Sequence, residues 1–213
     1  MQEVYAIRYG FRMSIPDRAT AQALLDEANL LNPGPWVSHV CFVADAAERI
    51  ARAVGMDVER AFILGLMHDI GRREGVNNLR HLTDGYRFMR GLGYEDAARV
   101  CITHAYPIQN ADLYIGAWDL EETDAKLLRD VLAHCEYDDE DHLIQLCDAL
   151  ALPSGFCLLE KRFVDVSLRH GTPEFIPRKW QATLEIQKRF EARIGASLYT
   201  LLPGVIENTF GFS

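Results

Sequence analysis

His68 and Asp69 stand side by side directly after the apolar run Leu64–Met67, in the stretch LGLMHDIGRREG at residues 64 to 75. An imidazole and a carboxylate at the inner end of a buried segment cost free energy unless each finds a hydrogen-bond partner, a counter-charge or a metal ion. Asp148 raises the same question inside LIQLCDALAL, where its neighbours are Leu146, Cys147, Ala149 and Leu150. Burying that carboxylate uncompensated would cost several kcal/mol. His39 sits on an apolar stripe between Val37 and Val40. Taken alone, a histidine there is more often a satisfied core residue than a ligand. A salt bridge to an arginine would account for Asp148, whereas a divalent cation would account for all four groups at once. Two neutral imidazoles and two carboxylates balance the charge of a first-row divalent metal and leave positions open for water or substrate.

These groups need elements to carry them, and helical periodicity dominates the chain. After Pro16 and Asp17, the segment RATAQALLDEANLL predicts a helix stopped by NPGP at 32 to 35. A second helix is expected from 36 to 54, with a core stripe of Val37, Val40, Ala44, Ala47, Ala51 and Val54 and with Gly55 as its C-terminal glycine. Asp57 should cap a third, running through VERAFILGLMHDI and ended by Gly71. Neighbouring side chains on a helix diverge by roughly 100°, so His68 and Asp69 reach one point only if it lies near the helix end. Further helices are expected at 83–92, 94–104, 123–135, 141–152, 156–170 and 176–194, around an irregular stretch at 105–122. Strand signals are weak and there is no internal repeat. The chain reads as a single all-α domain over 1–213, with a helical-bundle core at about 16–152 and a helical extension at 153–213 that packs back onto it.

Composition narrows the partners. A formal charge of −9 argues against a broad surface for extended nucleic acid or an anionic membrane, though not against a small anionic substrate in a local basic pocket. No stretch approaches the roughly 18 to 20 apolar residues that span a bilayer, and the N-terminal MQEVYAIRYGFRM lacks an apolar signal core. The five cysteines are odd in number and form no C-x-x-C pair, as small core residues in a reducing, cytoplasmic compartment would. EYDDED at 136–141 lacks the alternating ligands and glycine of a calcium loop and reads as a solvated turn capping the next helix. His134, His142 and His170 stand outside the ligand series. Trp180, Leu184 and Ile186 to Phe190 read as packing residues, with a minority role in a homodimer.

The spacing H…HD…D at 39, 68–69 and 148 resembles the signature of the HD superfamily of metal-dependent phosphohydrolases, and HDIG at 68–71 is the common extended form of its doublet. The resemblance spans Trp36 to about Ala149 and implies an all-helical bundle with the metal at its centre. HD proteins with a two-metal site carry additional histidines between the doublet and the last aspartate, and His81 and His104 match them. That match implies a second ion, with Asp69 bridging the pair. Each histidine also has an ordinary reading, His81 near a helix start and His104 at a C-terminus where the dipole favours a cation. Two departures separate the chain from the cyclic-dinucleotide phosphodiesterase branch: Arg87 follows Gly85-Tyr86 where that branch has proline, and Ala105 follows His104 where it has a second histidine. Small bacterial HD hydrolases of dinucleoside tetraphosphates share the histidine spacing, but they offer no counterpart to 153–213.

The resemblance also places a basic residue at the position of Arg72, close to substrate phosphate, and guanidinium binds phosphoryl oxygens bidentately. Arg73 follows it. Thr83 and Asp84, one turn beyond His81, either orient a water molecule or cap the helix. The expectation is therefore hydrolysis of a phosphoester or phosphoanhydride in a small nucleotide-like substrate, with Asp69 positioning the attacking water and Arg72 neutralising phosphoryl charge. The His/carboxylate set suits two divalent ions, iron or manganese first, with magnesium, nickel, cobalt or zinc as other candidates. Two rival classes stand beside it: an HD-type di-iron oxygenase and a non-enzymatic nucleotide-binding module.

Overall fold

The computed structural model describes residues 14–211; the N-terminal stretch considered above lies outside them. Ten α-helices and one two-stranded hairpin make up the regular structure of the described residues, together with short 3-10 turns. α1 (Arg18–Leu31) is capped by Asp17, whose carboxylate accepts from Thr20 N at 2.7 Å. α2 (Pro35–Val54) starts on a proline, which has no N–H to leave unpaired, and ends at Gly55 with φ 74°. α3 (Val58–Met67) is capped by Asp57. α4 (Arg80–Gly91), α5 (Glu95–Thr103), α6 (Glu122–His134) and α7 (Asp139–Ala149) complete the core. The hairpin β1 (Ala151–Leu152) and β2 (Gly155–Phe156) then leads into α8 (Leu159–His170), α9 (Ile176–Ile194) and α10 (Val205–Phe210). The all-α expectation holds. The hairpin was not foreseen; it turns through Pro153 and Ser154, and β2 opens on Gly155 with φ 139°.

α2 is the central helix, with Val40, Val43, Ala44, Ala47, Ile50 and Ala51 all buried. Its small residues let α3 approach closely, and a Cβ placed on Gly65 would stand 2.8 Å from Ala44 Cα. That crossing brings His39 on α2 towards His68 at the end of α3. The third helix is shorter than expected. It ends at Met67, with His68 as its C-cap, and Ile70–Glu74 form a 3-10 turn. Gly71 therefore does not act as a C-terminal glycine. A Cβ there would lie 2.0 Å from His81 O and 2.4 Å from Gly85 N, so the missing side chain is what lets α4 close against the turn.

The extension shares this core. Ile186 and Phe190 of α9, together with Leu198, Leu202 and Val205, belong to the same buried cluster as α2 and α3. Burying side chains of that size stabilises by about 1.5–3 kcal/mol each. Two expectations about polar and small residues change. Asp141, placed in a solvated turn by its neighbours, is fully buried; it accepts from Thr103 Oγ1 at 2.6 Å and completes the capping box of α7 with Asp138. Cys41 is exposed, whereas Cys101, Cys147 and Cys157 are buried as core residues should be.

Candidate metal centre

The ends of several elements deliver the six His and Asp side chains to one place. His39 comes from the first turns of α2, His68 and Asp69 from the junction after α3, His81 from the start of α4, His104 from the C-cap of α5, and Asp148 from the last turn of α7. His39 Nε2 lies 2.9 Å from Asp148 Oδ1, and His68 Nε2 lies 3.9 Å from both Asp148 Oδ1 and Asp69 Oδ2. On the other side, Asp69 Oδ1 is 3.0 Å from His81 Nε2 and 3.6 Å from His104 Nε2. Two groups of three therefore form, His39/His68/Asp69 and Asp69/His81/His104, each with its ligand atoms within 4.8 Å of one another. Asp69 belongs to both. Asp148 adjoins the first group and is less enclosed than its sequence context suggested: its side chain is 25% exposed, because α7 ends there and the carboxylate faces a cavity.

The backbone fixes the chemical form of these imidazoles. His68 Nδ1 donates to Gly65 O at 2.7 Å, His104 Nδ1 donates to Val100 O at 3.0 Å, and His81 Nδ1 donates to Asn78 O. With the proton held on Nδ1, each Nε2 presents its lone pair to the centre, the arrangement that orients metal-ligating histidines. Burial lowers the pKa of His68 and takes that of His104 down to about 3, keeping these two rings neutral. Burial would raise Asp69, but the adjacent Arg72 charge overcomes it and holds the carboxyl well below the usual range. The same competition holds Asp148 down, through the His39 hydrogen bond and the Arg162 charge.

A test of fit for a cation lies in the atoms left without partners. His68 Nε2 and Asp69 Oδ1 are buried and hydrogen-bond to nothing among the described residues. An unpaired buried acceptor costs about 1–3 kcal/mol, and here two of them, one nitrogen and one oxygen, face the same space. A divalent cation satisfies both, and the donor set is of the kind first-row divalent ions take.

Arg72 is at this centre, with Nε donating to Asp69 Oδ2 at 2.5 Å and Nη2 standing 3.3 Å from His81 Nε2. Three other residues expected to meet substrate do not line the cavity. Arg73 lies over the Phe88 ring at 3.9 Å and pairs with Glu27 at 3.1 Å. Thr83 is buried, with Oγ1 donating to Arg80 O, and Asp84 pairs with Arg80 at 2.9 Å. Thr83 is two residues beyond His81, roughly 200° round the helix, so it turns away from the centre.

The cavity, about 360 Å³ in volume, opens from the His/Asp cluster. Sequence reasoning missed several of its walls. Tyr114, from the irregular stretch, lines it and interacts electrostatically with Arg72 and Asp69. The extension adds Arg162, Phe163, Lys179 and Trp180. Phe163 and Trp180 stack with centroids 5.4 Å apart and planes 10° apart, so Trp180 does pack, but at the cavity wall rather than in the core.

A helical bundle whose element ends converge on a shared His/carboxylate cluster defines a helical domain fitted to bind metal. Residues 36–152, more than half of the chain, match the HD domain family, and the chain belongs to that family. No curated protein and no solved structure matches it. Family membership places it in a superfamily of metal-dependent hydrolases. Among the described residues, no helix is long and apolar enough to cross a membrane.

Proposed function

We propose that the protein is a metal-dependent phosphohydrolase that cleaves a phosphoester or phosphoanhydride bond in a small nucleotide-like substrate. The observation that carries this reading is the pair of buried, unpartnered atoms His68 Nε2 and Asp69 Oδ1, with Asp69 lining a cavity that the Arg72 guanidinium also lines. His39, His68, Asp69 and Asp148 would hold one divalent ion, and His81 and His104 a second that shares Asp69; iron or manganese suits this set, with magnesium, nickel, cobalt or zinc as other occupants. Such ions supply Lewis acidity and a water nucleophile active at neutral pH.

The chain's own groups do the rest. Asp69, held ionised by the Arg72 charge, contributes a negative charge common to the two histidine groups. Arg72 commits Nε to Asp69 and sets Nη2 against His81 Nε2, leaving Nη1 to neutralise charge on phosphoryl oxygens in the transition state. Tyr114 lines the same cavity and interacts electrostatically with Arg72. A volume near 360 Å³ is at the small end of ligand cavities, about 300–1,000 Å³, which favours a substrate of mononucleotide size over a dinucleotide.

The test is purification without chelator, anaerobic reconstitution with iron or manganese, elemental analysis, and a phosphate-release screen over sugar phosphates, mononucleotides and dinucleotides. The expected result is about two ions per chain and phosphate release from small phosphorylated substrates. Oxygen uptake by the iron-loaded protein, with no phosphate released from any of them, would overturn the assignment in favour of a di-iron oxygenase.

A further inference from the structure

The cavity has a second wall, and it lies wholly beyond the residues that match the HD family. α8 and α9 bring Arg162, Arg169 and Lys179 to it, in the cavity that Arg72 also lines. Four cationic side chains thus face one cavity in a chain of 31 acidic and 22 basic residues. Among the described residues, the only carboxylates lining that cavity are Asp69 and Asp148, both members of the candidate metal set.

The cations of this wall are under-neutralised. Asp165 is shared between Arg169 at 2.9 Å and Arg162 at 3.6 Å, and Arg162 also stands 3.7 Å from Asp148. Lys179 has neither an ion pair nor a side-chain hydrogen bond among the described residues; its ammonium lies 5.9 Å from the centroid of the Tyr106 ring. Crowding by the wall lowers its pKa to about 8, and Asp148 is the one charge that opposes the shift. A partly desolvated ammonium without a partner is costly unless something else completes its shell. The stacked Phe163 and Trp180 line the same cavity and offer an apolar surface with nothing to hydrogen-bond a polar linker except the indole N–H.

We propose that Lys179, with Arg169 at the rim, forms a second anion subsite, while Arg162 adjoins the metal set at Asp148, so that the substrate carries a second anionic group, carboxylate or phosphate, besides the reacting phosphoryl. The phosphohydrolase reading supplies only the identity of the reacting end; the subsite stands on the cavity wall itself. The HD core then provides the chemistry, and the extension chooses which phosphorylated molecule reaches it.

The experiment is equilibrium binding by calorimetry to the manganese-loaded full chain, kept anaerobic, with three non-hydrolysable probes. Propylphosphonate carries one anionic end, 4-phosphonobutyrate adds a carboxylate, and propane-1,3-bisphosphonate adds a second phosphonate. The parent protein should prefer at least one two-ended probe over propylphosphonate by about 10- to 100-fold, the scale of a charge-assisted hydrogen bond. Which of the two it prefers identifies the distal group. Lys179→Met, which keeps the stem volume, should collapse that preference to near unity with metal content and Tm unchanged, and Lys179→Arg should retain most of it. Equal binding of all three probes by the parent, or a preference that survives in Lys179→Met, would overturn the subsite. A Lys179→Met variant that loses metal while keeping the preference would show that Lys179 serves only to balance Asp148. Clear preference combined with no hydrolysis of any phosphoester leaves the subsite standing and removes the phosphohydrolase reading. If none of the probes binds, both fall.

Discussion

The two walls of the cavity are built in opposite ways. On the core side, His68, Asp69, His81 and His104 are each no more than 5% exposed, and three of the imidazoles are fixed by backbone carbonyls within their own helical turns. On the extension side, Arg162 and Arg169 share Asp165, Arg162 reaches only Asp148 besides at 3.7 Å, Lys179 has no ion pair or side-chain hydrogen bond among the described residues, and the helix that carries both arginines buries only Leu159 fully. Rigid placement suits ions, whose coordination tolerates little error. Loosely held cations suit a ligand that brings its own negative charge and completes them on arrival. The difference teaches that one cavity can divide its labour between a preorganised floor and an adaptable wall.

The sharpest way to break that division is at Asp69, the residue common to both three-residue groups. Asp69→Asn keeps the shape but removes the charge, and it should take the metal content well below one ion per chain. Activity should fall by more than about 10³-fold, towards the upper end of what single catalytic groups contribute. Elemental analysis and phosphate release read the two effects, and circular dichroism should still show a helical protein. Asp148→Ala should be milder, weakening the His39/His68 ion while leaving the His81/His104 ion in place. Full metal retention in Asp148→Ala would remove it from the ligand set.

Arg72 comes next in size. A lost charged hydrogen bond to phosphate costs about 1.5–3 kcal/mol, or roughly 10- to 150-fold in kcat/KM at 1.4 kcal/mol per decade. Because Arg72 also donates to Asp69 at 2.5 Å, Arg72→Ala should weaken metal affinity as well, and activity measured at saturating metal separates the two contributions. Parent-level activity under those conditions would leave Arg72 as a support for Asp69 alone.

Much of the core wall was legible in the sequence because burying a polar group is expensive. His68, Asp69 and Asp148 drew attention by standing in apolar runs, and the structure brings all three together with His39. Helix positions were legible from period and caps, as at Asp57 and Gly55. The extension wall was not, for an equally physical reason. Arg162, Lys179 and Trp180 occupy ordinary places on amphipathic helices, and no spacing distinguishes a cavity-facing lysine from a solvated one. Asp141 was hidden by its acidic neighbours, since EYDDED mixes exposed and buried carboxylates at single-residue steps. Gly71 misled because a glycine after an apolar helix looks the same whether it caps the helix or receives a neighbour's backbone.

Gly71 supplies a prediction about stability as well as placement. A methyl group there meets His81 O at 2.0 Å and Gly85 N at 2.4 Å, both of them backbone atoms that cannot swing aside. Overpacking of this kind costs about 1–3 kcal/mol or somewhat more, equivalent to a fall in Tm of roughly 2–4 °C per kcal/mol for a chain of this size. Gly71→Ala should also push α4 outward and so weaken the His81/His104 ion before the His39/His68 ion. A variant with unchanged Tm and two full ions would show that α4 does not depend on this close approach.

The smallest expected effect lies beneath the core wall, at the carboxylate that ties α5 to α7. Asp141 accepts from Thr103 Oγ1, the residue just before His104, and completes the capping box of α7, whose last turn carries Asp148. Burial raises its pKa to about 6, and the Thr103 hydrogen bond, the Asp138 backbone N–H and the Arg99 guanidinium at 3.5 Å offset only part of that. The folded chain therefore binds more protons at this site than the unfolded chain between about pH 4, the ordinary carboxyl range, and pH 6. Its contribution to stability is fully present below that window and declines as pH rises through it. Depressed carboxylates such as Asp96 and Asp138 act in the opposite direction at lower pH, so the comparison must be made against Asp141→Asn rather than on the parent alone. Urea unfolding of the two proteins from pH 4 to 7 should show the parent's advantage over Asp141→Asn shrinking between pH 4 and 6 and flat above. A difference independent of pH would mean that the carboxyl does not titrate in this window and that its Thr103 bond alone anchors the two helices.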